Sequence, residues 1–161
     1  MSLLGVIHSD VSSSLLIAGR WLAVLRIGLG LWWLESFRHK NKRAWLKEGS
    51  GISWGRSVAE KHPWGFVKTG FEKVVAPRPR LMAYVIVFGE LALGLGLVLG
   101  FLTPVAAAFS ILLNLIYFVL MIKDWAEQGQ NLMMILAAVV VLGAHGWQCL
   151  SLDHALKLFP H

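Results

Sequence analysis

Four long apolar runs with almost no charge set the strongest limit on what this chain can fold into. They lie at about 14–35, 81–102, 103–122 and 130–149. Each approaches the length of about 20 residues that a helix needs to cross the ~30 Å hydrocarbon layer of a bilayer. The runs are continuously apolar and do not alternate with polar residues, so they predict transmembrane helices and exclude a β-barrel.

Most of the charge lies in one segment, 36–80, between the first two runs. Charged residues make up 15% of the chain, whereas a soluble domain has about a quarter. The segment holds eleven Lys and Arg residues, with aromatic residues interleaved among them at Trp45, Trp54, Trp64, Phe66 and Phe71. This mixture is typical of short helices lying on the membrane interface, so we expect such helices rather than a separate soluble domain.

The predicted fold is therefore all-α. It is an integral membrane four-helix bundle, one domain over 1–161, with a long interfacial loop containing short helices between helices 1 and 2. The positive-inside rule places the basic loop 36–80 in the cytoplasm and both termini outside, in an inner (plasma) membrane. The formal charge of +6 then reflects membrane lipid rather than nucleic acid as the partner. Other protein subunits or further copies of the chain are also expected partners.

Three polar residues stand out inside the apolar runs: Arg26, Glu90 and Asn114. An ionisable residue near the membrane centre costs about 2.5–3.5 kcal/mol on insertion scales. Counted from the cytoplasmic ends of their spans at ~1.5 Å per residue, all three lie roughly 14–15 Å deep. We therefore expect one polar layer near the midplane, with an ion pair between Arg26 and Glu90, because buried charges persist mainly when paired.

Two interpretations of this layer remain open. In one, the three residues are structural contacts between helices. In the other, they line a pocket for a quinone or a similar amphiphile. Arg26 or Asn114 would then donate a hydrogen bond to a carbonyl oxygen, and Glu90 would relay protons. Arg26 and Glu90 are the catalytic residues in that interpretation.

A ridge of small residues runs along the second span, at Ala92, Gly96 and Gly100. Small side chains let helix backbones approach closely. The ridge therefore predicts the face on which this span packs against its neighbours.

A second polar layer lies nearer the cytoplasmic surface and comprises Glu35, Tyr84, Tyr117, Gln130 and Asn131. Interfacial anchoring explains such residues, and they also suit the opening of a deeper site. Tyr84 and Asn131 join Arg26 and Asn114 as the residues that we predict to bind the quinone.

No metal or haem site is expected. His145 lies near the outer end of the fourth span, whereas His39 and His62 lie in the cytoplasmic loop, so the predicted topology separates them. Cys149 is the one cysteine, and it cannot form an internal disulfide or a thiolate cluster.

Several short motifs follow one another in a fixed order. The first span contains Arg26-Ile27-Gly28-Leu29-Gly30 and Trp33-Leu34-Glu35, with Lys40 in its flank, and the second contains Phe88-Gly89-Glu90-Leu91-Ala92-Leu93-Gly94. Gly100-Phe101-Leu102-Thr103-Pro104, Gln130-Asn131-Leu132 and Ser151-Leu152-Asp153 come later. Together, over roughly 20–155, they resemble the DoxX/DoxD family. The long Trp-rich first loop resembles DoxD more than the shorter DoxX proteins.

This resemblance implies a quinone-linked membrane protein. DoxD is the membrane subunit associated with thiosulfate:quinone oxidoreductase, which oxidises thiosulfate to tetrathionate, reduces a membrane quinone and has a smaller DoxA partner. The matching positions are Arg26, Glu90, Asn131 and Asp153. The leading interpretation is a membrane subunit of such an enzyme, with quinone as co-substrate. The alternatives are a non-catalytic accessory or assembly subunit of a respiratory or photosynthetic complex, and a small transporter or stress-related factor.

Overall fold

A computed structural model describes the backbone of residues 3–159 and the side chains of residues 15–159. All regular elements in that part of the chain are helical. In chain order they are α1 (Leu3–His39), a π-helical turn (Ala44–Glu48), α2 (Ser50–Glu60), α3 (Gly65–Gly70), a second π-helical turn (Phe71–Val75), α4 (Pro79–Leu99), α5 (Thr103–Leu120), α6 (Trp125–Gly143) and α7 (Leu152–Ala155).

Four of the helices are long and apolar enough to cross a membrane: α4, α5, α6 and the part of α1 from Leu15 to His39. The predicted all-α architecture with four spans is thus confirmed. The first three have bounds close to those predicted. The fourth is displaced, because α6 occupies Trp125–Gly143 whereas the apolar run predicts 130–149.

Local hydrogen bonds explain this displacement. The carboxylate of Asp124 accepts hydrogen bonds from the backbone N–H groups of Ala126 and Glu127, both at 3.1 Å, and so caps α6 before the apolar run begins. At the other end, the N–H of Gly146 bonds back to the carbonyl oxygen of Val141 at 2.8 Å. Residues 144–149 therefore form turns and bends and do not extend the helix.

A tight hairpin joins α4 to α5, as the sequence predicts. Gly100 ends α4 with a φ of 65°, and Pro104 lies in the first turn of α5, where its missing N–H is not needed. The carboxylate of Asp153 accepts the N–H groups of Leu102 and Thr103, both at 2.7 Å. Asp153 is almost fully buried and thus fastens α7 to this end of the bundle.

The helices are paired, α4 packing mainly on α1 and α5 mainly on α6. Glycines bring α1 and α4 together: a Cβ added at Gly30 would lie 2.7 Å from the backbone nitrogen of Val98. The predicted ridge on α4 is wrong as the main contact face. Ala92 is exposed, whereas Glu90 and Gly94, one helical turn apart, lie on the face toward α1.

The loop between α1 and α4 folds onto the bundle. Ile52 and Ala59 of α2 are buried, and a Cβ at Gly55 would lie 3.1 Å from the Phe71 ring. The loop also contacts α5, because the imidazole of His62 hydrogen-bonds the carbonyl oxygen of Val119 at 2.9 Å. The prediction of short helices in this segment is confirmed.

Candidate functional site: a buried carboxylate at the wall of a polar cavity

One stripe of α1 supplies the first half of the site. Trp33 and Ser36 are three residues apart and share a helix face, and Lys40, directly after the last residue of α1, continues their stripe. Trp33 is 2% exposed, and its indole N–H donates to the hydroxyl of Ser110 on α5 at 2.9 Å. Lys40 lies where this stripe reaches the end of α1, and its side chain is 14% exposed.

The carboxylate of Glu90 is the centre of the site. Its side chain is fully buried and receives three hydrogen bonds. The ammonium of Lys40 donates to Oε2 at 2.5 Å, the hydroxyl of Ser36 donates to the same oxygen at 3.2 Å, and the hydroxyl of Tyr117 donates to Oε1 at 3.2 Å. Lys40 thus supplies the opposite charge that a buried carboxylate requires, and α1, α4 and α5 meet at one group.

Asn114 extends this network along α5. Its amide nitrogen donates to the carbonyl oxygen of Ser110 at 2.8 Å, one turn back on the same helix. The Oδ1 atom of Asn114 is buried and has no hydrogen-bond partner within the described part of the chain. A buried acceptor without a donor is costly, so this atom is suited to a donor group on a bound molecule.

Glu90, Asn114 and Tyr117 line a cavity of about 1060 Å³. The cavity also reaches Asn131 and Gln130 on α6, so part of the predicted second layer and part of the predicted deep layer share one space, whereas Glu35 and Tyr84 do not line it. A cavity of this size exceeds the range of about 300–1,000 Å³ typical of small-molecule sites. It has room for a ring-bearing ligand.

Residues of the loop between α1 and α4 close one side of this cavity. Ile52 of α2, Val67 of α3 and Phe71 of the second π-helical turn are among its lining residues. Lys40 is held on the same side, with its ammonium 5.1 Å from the centroid of the Trp45 ring. The cavity wall toward the bilayer is different, because the lining residues Val85 and Ile116 are about half exposed.

The predicted ion pair between Arg26 and Glu90 is wrong. Glu90 is level with Ser36 and Lys40, whereas Arg26 lies ten residues earlier on α1, about 15 Å away along the helix axis. The predicted depths of Arg26 and Glu90 are counted from Ser36 and Arg80, on the premise that both lie on the same membrane surface. In the structure, α4 begins well beyond the level of Ser36, so its register on α1 differs by nearly three turns from the predicted one.

Arg26 belongs to the opposite end of the bundle. It is fully buried, and its guanidinium donates to the carbonyl oxygen of Leu150 at 2.6 Å. It lies against the hairpin at Gly100 and interacts electrostatically with Asp153. The prediction that Arg26 and Asn114 lie in one layer with Glu90 therefore holds for Asn114 only, and Arg26 does not line the cavity.

The two residues predicted from the second layer have different positions. Asn131 is 3% exposed, lines the cavity and donates to the carbonyl oxygen of Glu127 at 2.7 Å. Tyr84 is 47% exposed and stacks on Phe88, with ring centroids 5.9 Å apart. Because Tyr84 faces away from the cavity, its predicted role in binding is not supported by the geometry.

Sequence reasoning missed Lys40 and Ser36 as partners of Glu90. The signal that could identify them is the spacing of α1, since Arg26, Trp33 and Lys40 recur every seven residues along one face. A lysine in line with a buried tryptophan points toward the neighbouring helices. Arg38, on another face, forms an exposed ion pair with Glu35 at 2.5 Å. Counting all loop cations as one group hides this difference.

Fold and site together define a multi-pass membrane protein with a buried charged group beside a lipid-facing cavity. A comparison with protein-family models matches the DoxX family over residues 21–123. This match covers more than half of the 161 residues, and the chain belongs to the DoxX family. It includes all of α4 and α5, so Lys40, Glu90, Asn114 and Tyr117 all lie within the matched region. No curated protein and no solved structure matches the chain.

Proposed function

We propose that this protein binds a membrane quinone, with its ring in the polar cavity beside Glu90, and that it serves as the quinone-reducing membrane subunit of an oxidoreductase. The observation that carries this proposal is a fully buried carboxylate on the wall of a cavity of about 1060 Å³ that reaches lipid-facing residues. Buried ionisable groups inside spans are functional candidates because insertion makes them costly.

The donors and acceptors at the cavity suit a quinone. A quinone ring has two carbonyl oxygens that accept hydrogen bonds, and the quinol has two hydroxyl groups that donate them. The ammonium of Lys40 supplies N–H donors, and the unpartnered Oδ1 of Asn114 supplies an acceptor. The apolar walls, which include Trp33, Leu113 and Met134, suit the faces of the ring.

Proton supply follows from the position of Lys40. Reduction of a quinone takes up two electrons and two protons. Glu90 and Tyr117 are within hydrogen-bond distance of each other, and Lys40 connects Glu90 to the end of α1, where its side chain is partly exposed. Glu90 is the general acid of this proposal, and protons reach it from the loop side.

The resemblance of the first loop to DoxD suggests thiosulfate as the electron donor. In the reaction of thiosulfate:quinone oxidoreductase, two thiosulfate anions join through a new S–S bond to give tetrathionate and release two electrons. One quinone takes these electrons and two protons to give one quinol. This chain would hold the quinone, and a partner subunit would share the oxidation of thiosulfate on the side of loop 36–80.

The cations of that loop are only partly free for an anionic donor. Arg38 is paired with Glu35 at 2.5 Å, and Arg43 is 3.9 Å from Glu48. The ammonium of Lys42 donates to the carbonyl oxygen of Phe37 at 2.5 Å. Among the described side chains, no acidic group forms an ion pair with it. Of these three loop cations, Lys42 is therefore the one that best suits the approach of thiosulfate.

A quinone-binding titration of a Glu90→Gln variant tests the proposal. The purified chain is reconstituted with a membrane quinone, and binding is followed by quenching of tryptophan fluorescence, since Trp32 and Trp33 line the cavity. We expect wild type to bind saturably and Glu90→Gln to bind at least about tenfold more weakly, because the charge-assisted hydrogen bond that holds the Lys40 donor at the cavity wall is lost. The matched control is Glu60→Gln, an exposed acid of α2.

Quinone reduction with a donor present gives the second half of the test. Glu90→Gln should abolish turnover while the protein still inserts and folds, which circular dichroism and gel filtration establish. Saturable binding and normal turnover in a folded Glu90→Gln variant would contradict the role of Glu90. Absence of quinone binding to wild type would contradict the proposal as a whole and favour an accessory subunit.

A further inference from the structure

A second space lies next to the polar cavity. It is a groove of about 610 Å³ between α4 and α5, lined almost entirely by apolar side chains. Gly89, Ala92 and Gly96 give it a smooth floor on α4, and Leu112 and Phe109 are among its walls on α5. The groove exists because α4 packs mainly on α1 and α5 mainly on α6, so the two helices separate away from their hairpin.

The groove and the polar cavity adjoin each other. Four residues line both of them: Val85, Ile86, Leu113 and Ile116. The polar groups, including Glu90, Asn114 and Tyr117, lie in the cavity on one side of this junction. The groove runs from the junction toward Leu99 and Phe101 at the hairpin. The combined shape is a chamber that carries a cluster of polar groups on its wall, with an apolar channel leading from it.

The length of the groove is that of a hydrocarbon chain. From Ile86 to Leu99 the helix rises about 20 Å, which is most of the ~30 Å hydrocarbon layer. The groove is open to the bilayer along this length, since Val85, Leu95, Leu99, Val105 and Phe109 in its walls are about half exposed. A chain lying there would have protein on one side and lipid on the other.

We propose that this groove binds the apolar tail of the same amphiphile whose ring occupies the polar cavity, and that ligands enter from the bilayer between α4 and α5. The inference rests on the proposed function, because the residues shared by the two spaces make one ligand their common occupant. Lipid is as apolar as the groove, so the tail adds affinity by close packing rather than by leaving water. The site therefore discriminates between ligands by tail length and shape.

Gly89 offers a direct way to fill the groove. A Cβ added there meets nothing within 4 Å, although Gly89 lines the groove, so a large side chain has space that the tail would otherwise occupy. The test uses Gly89→Trp in the full-length chain. Gly28→Trp is its matched control, because Gly28 is also free of neighbours within 4 Å but lies on an exposed face of α1, outside the groove.

Binding is measured for two probes, a quinone with a long isoprenoid tail and the tail-less quinone with the same ring. We expect Gly89→Trp to weaken the long-tailed probe by at least about tenfold and to leave the tail-less probe unchanged. Gly28→Trp should change neither. Equal affinities of Gly89→Trp and wild type for the long-tailed probe would overturn the inference, as would equal weakening of both probes.

Two further outcomes distinguish failure of the tail groove from failure of the proposed quinone ring site. If wild type binds the tail-less probe but gains nothing from the tail, the ring site stands and the tail groove falls. If wild type binds neither probe, both proposals fall.

Other occupants of the groove give different results. Displacement of the long-tailed quinone from wild type by an equal amount of phospholipid would assign the groove to an acyl chain. Dissociation of an oligomer by Gly89→Trp, measured by light scattering of the purified protein, would assign the groove to a helix of a second copy.

Discussion

The buried pair of Lys40 and Glu90 is the residue-level feature on which the account depends. Two charges inside a membrane protein stabilise each other only when both are present, and removing one leaves the other without a partner. The hydroxyl groups of Ser36 and Tyr117 also donate hydrogen bonds to the carboxylate. The contact joins α1 to α4 over a sequence separation of 50 residues, so it also fixes their register.

A double-mutant cycle measures this contact. We expect Lys40→Met and Glu90→Gln to destabilise the folded protein individually and to show a coupling energy of about 0.5–3 kcal/mol when combined, because the two side chains touch. The control cycle pairs Arg26→Met with Glu90→Gln. Those effects should add to within about 0.5 kcal/mol, since the residues are far apart. Coupling in the Arg26 cycle and additivity in the Lys40 cycle would reverse the assignment.

Gly100 is the second residue whose identity the structure explains. Its φ of 65° favours glycine, and an added Cβ would collide with the guanidinium of Arg26 and with Ser151. We expect Gly100→Ala to lower the free energy of unfolding by more than about 1 kcal/mol. Gly129→Ala is the control, because Gly129 lies inside α6 with no neighbour within 4 Å, and alanine there should stabilise by up to about 1 kcal/mol. Equal effects of the two substitutions in thermal unfolding would contradict this reading of the hairpin.

At the scale of elements, the close approach of α1 and α4 is the feature that positions the site. Gly30 and Gly94 bring the two helices together near their middle, and this approach sets the level at which Lys40 meets Glu90. Because lipid gives no hydrophobic drive for helix association, such small-residue contacts carry much of the packing energy. The site therefore depends on glycines that do not touch it.

Gly30→Val tests this dependence. The side chain would meet the backbone nitrogen of Val98 at 2.7 Å and the carbonyl oxygen of Gly94 at 2.9 Å, so α1 must move away from α4. We expect a lower melting temperature and a loss of quinone binding. Gly28→Val, which meets nothing within 4 Å, should preserve both. Unchanged quinone binding and melting temperature in Gly30→Val would contradict the claim that the close contact of α1 with α4 positions the site.

The elements show how far the sequence alone can go. The four spans, the hairpin at Gly100–Pro104 and the interfacial helices follow from run length, glycine and proline positions, and basic-aromatic composition. The relative level of the helices does not follow, since it depends on which glycines of α1 and α4 meet. For that reason Glu90 and Asn114 are found from the sequence as candidates, whereas the partner of Glu90 is misassigned to Arg26 and Lys40 is counted as a loop cation.

At the scale of the whole molecule, the two ends of the bundle have different characters. One end carries the loop 36–80, the polar cavity and most of the basic residues. The other end is closed by the hairpin, by α7 and by the buried Arg26 and Asp153. The charge difference between the ends predicts that the cavity end lies in the cytoplasm, where protons for the quinone would be drawn.

Cysteine labelling tests this orientation. In a background of Cys149→Ala, Ser57→Cys on α2 and Leu156→Cys after α7 place single thiols at exposed positions at opposite ends. A membrane-impermeant maleimide applied to right-side-out vesicles should label Leu156→Cys and leave Ser57→Cys unlabelled. Inverted vesicles should give the opposite pattern, and the reverse result in both preparations would invert the topology.

Photo-cross-linking with an azido-substituted quinone, followed by peptide mapping, tests the central claim most directly. The account predicts label on the cavity-lining segments of α4 and α5, at 82–90 and 113–117, which excess unlabelled quinone removes. Label near Arg26 on α1, or label spread over the lipid-facing surface and unaffected by competition, would contradict a quinone site at Glu90.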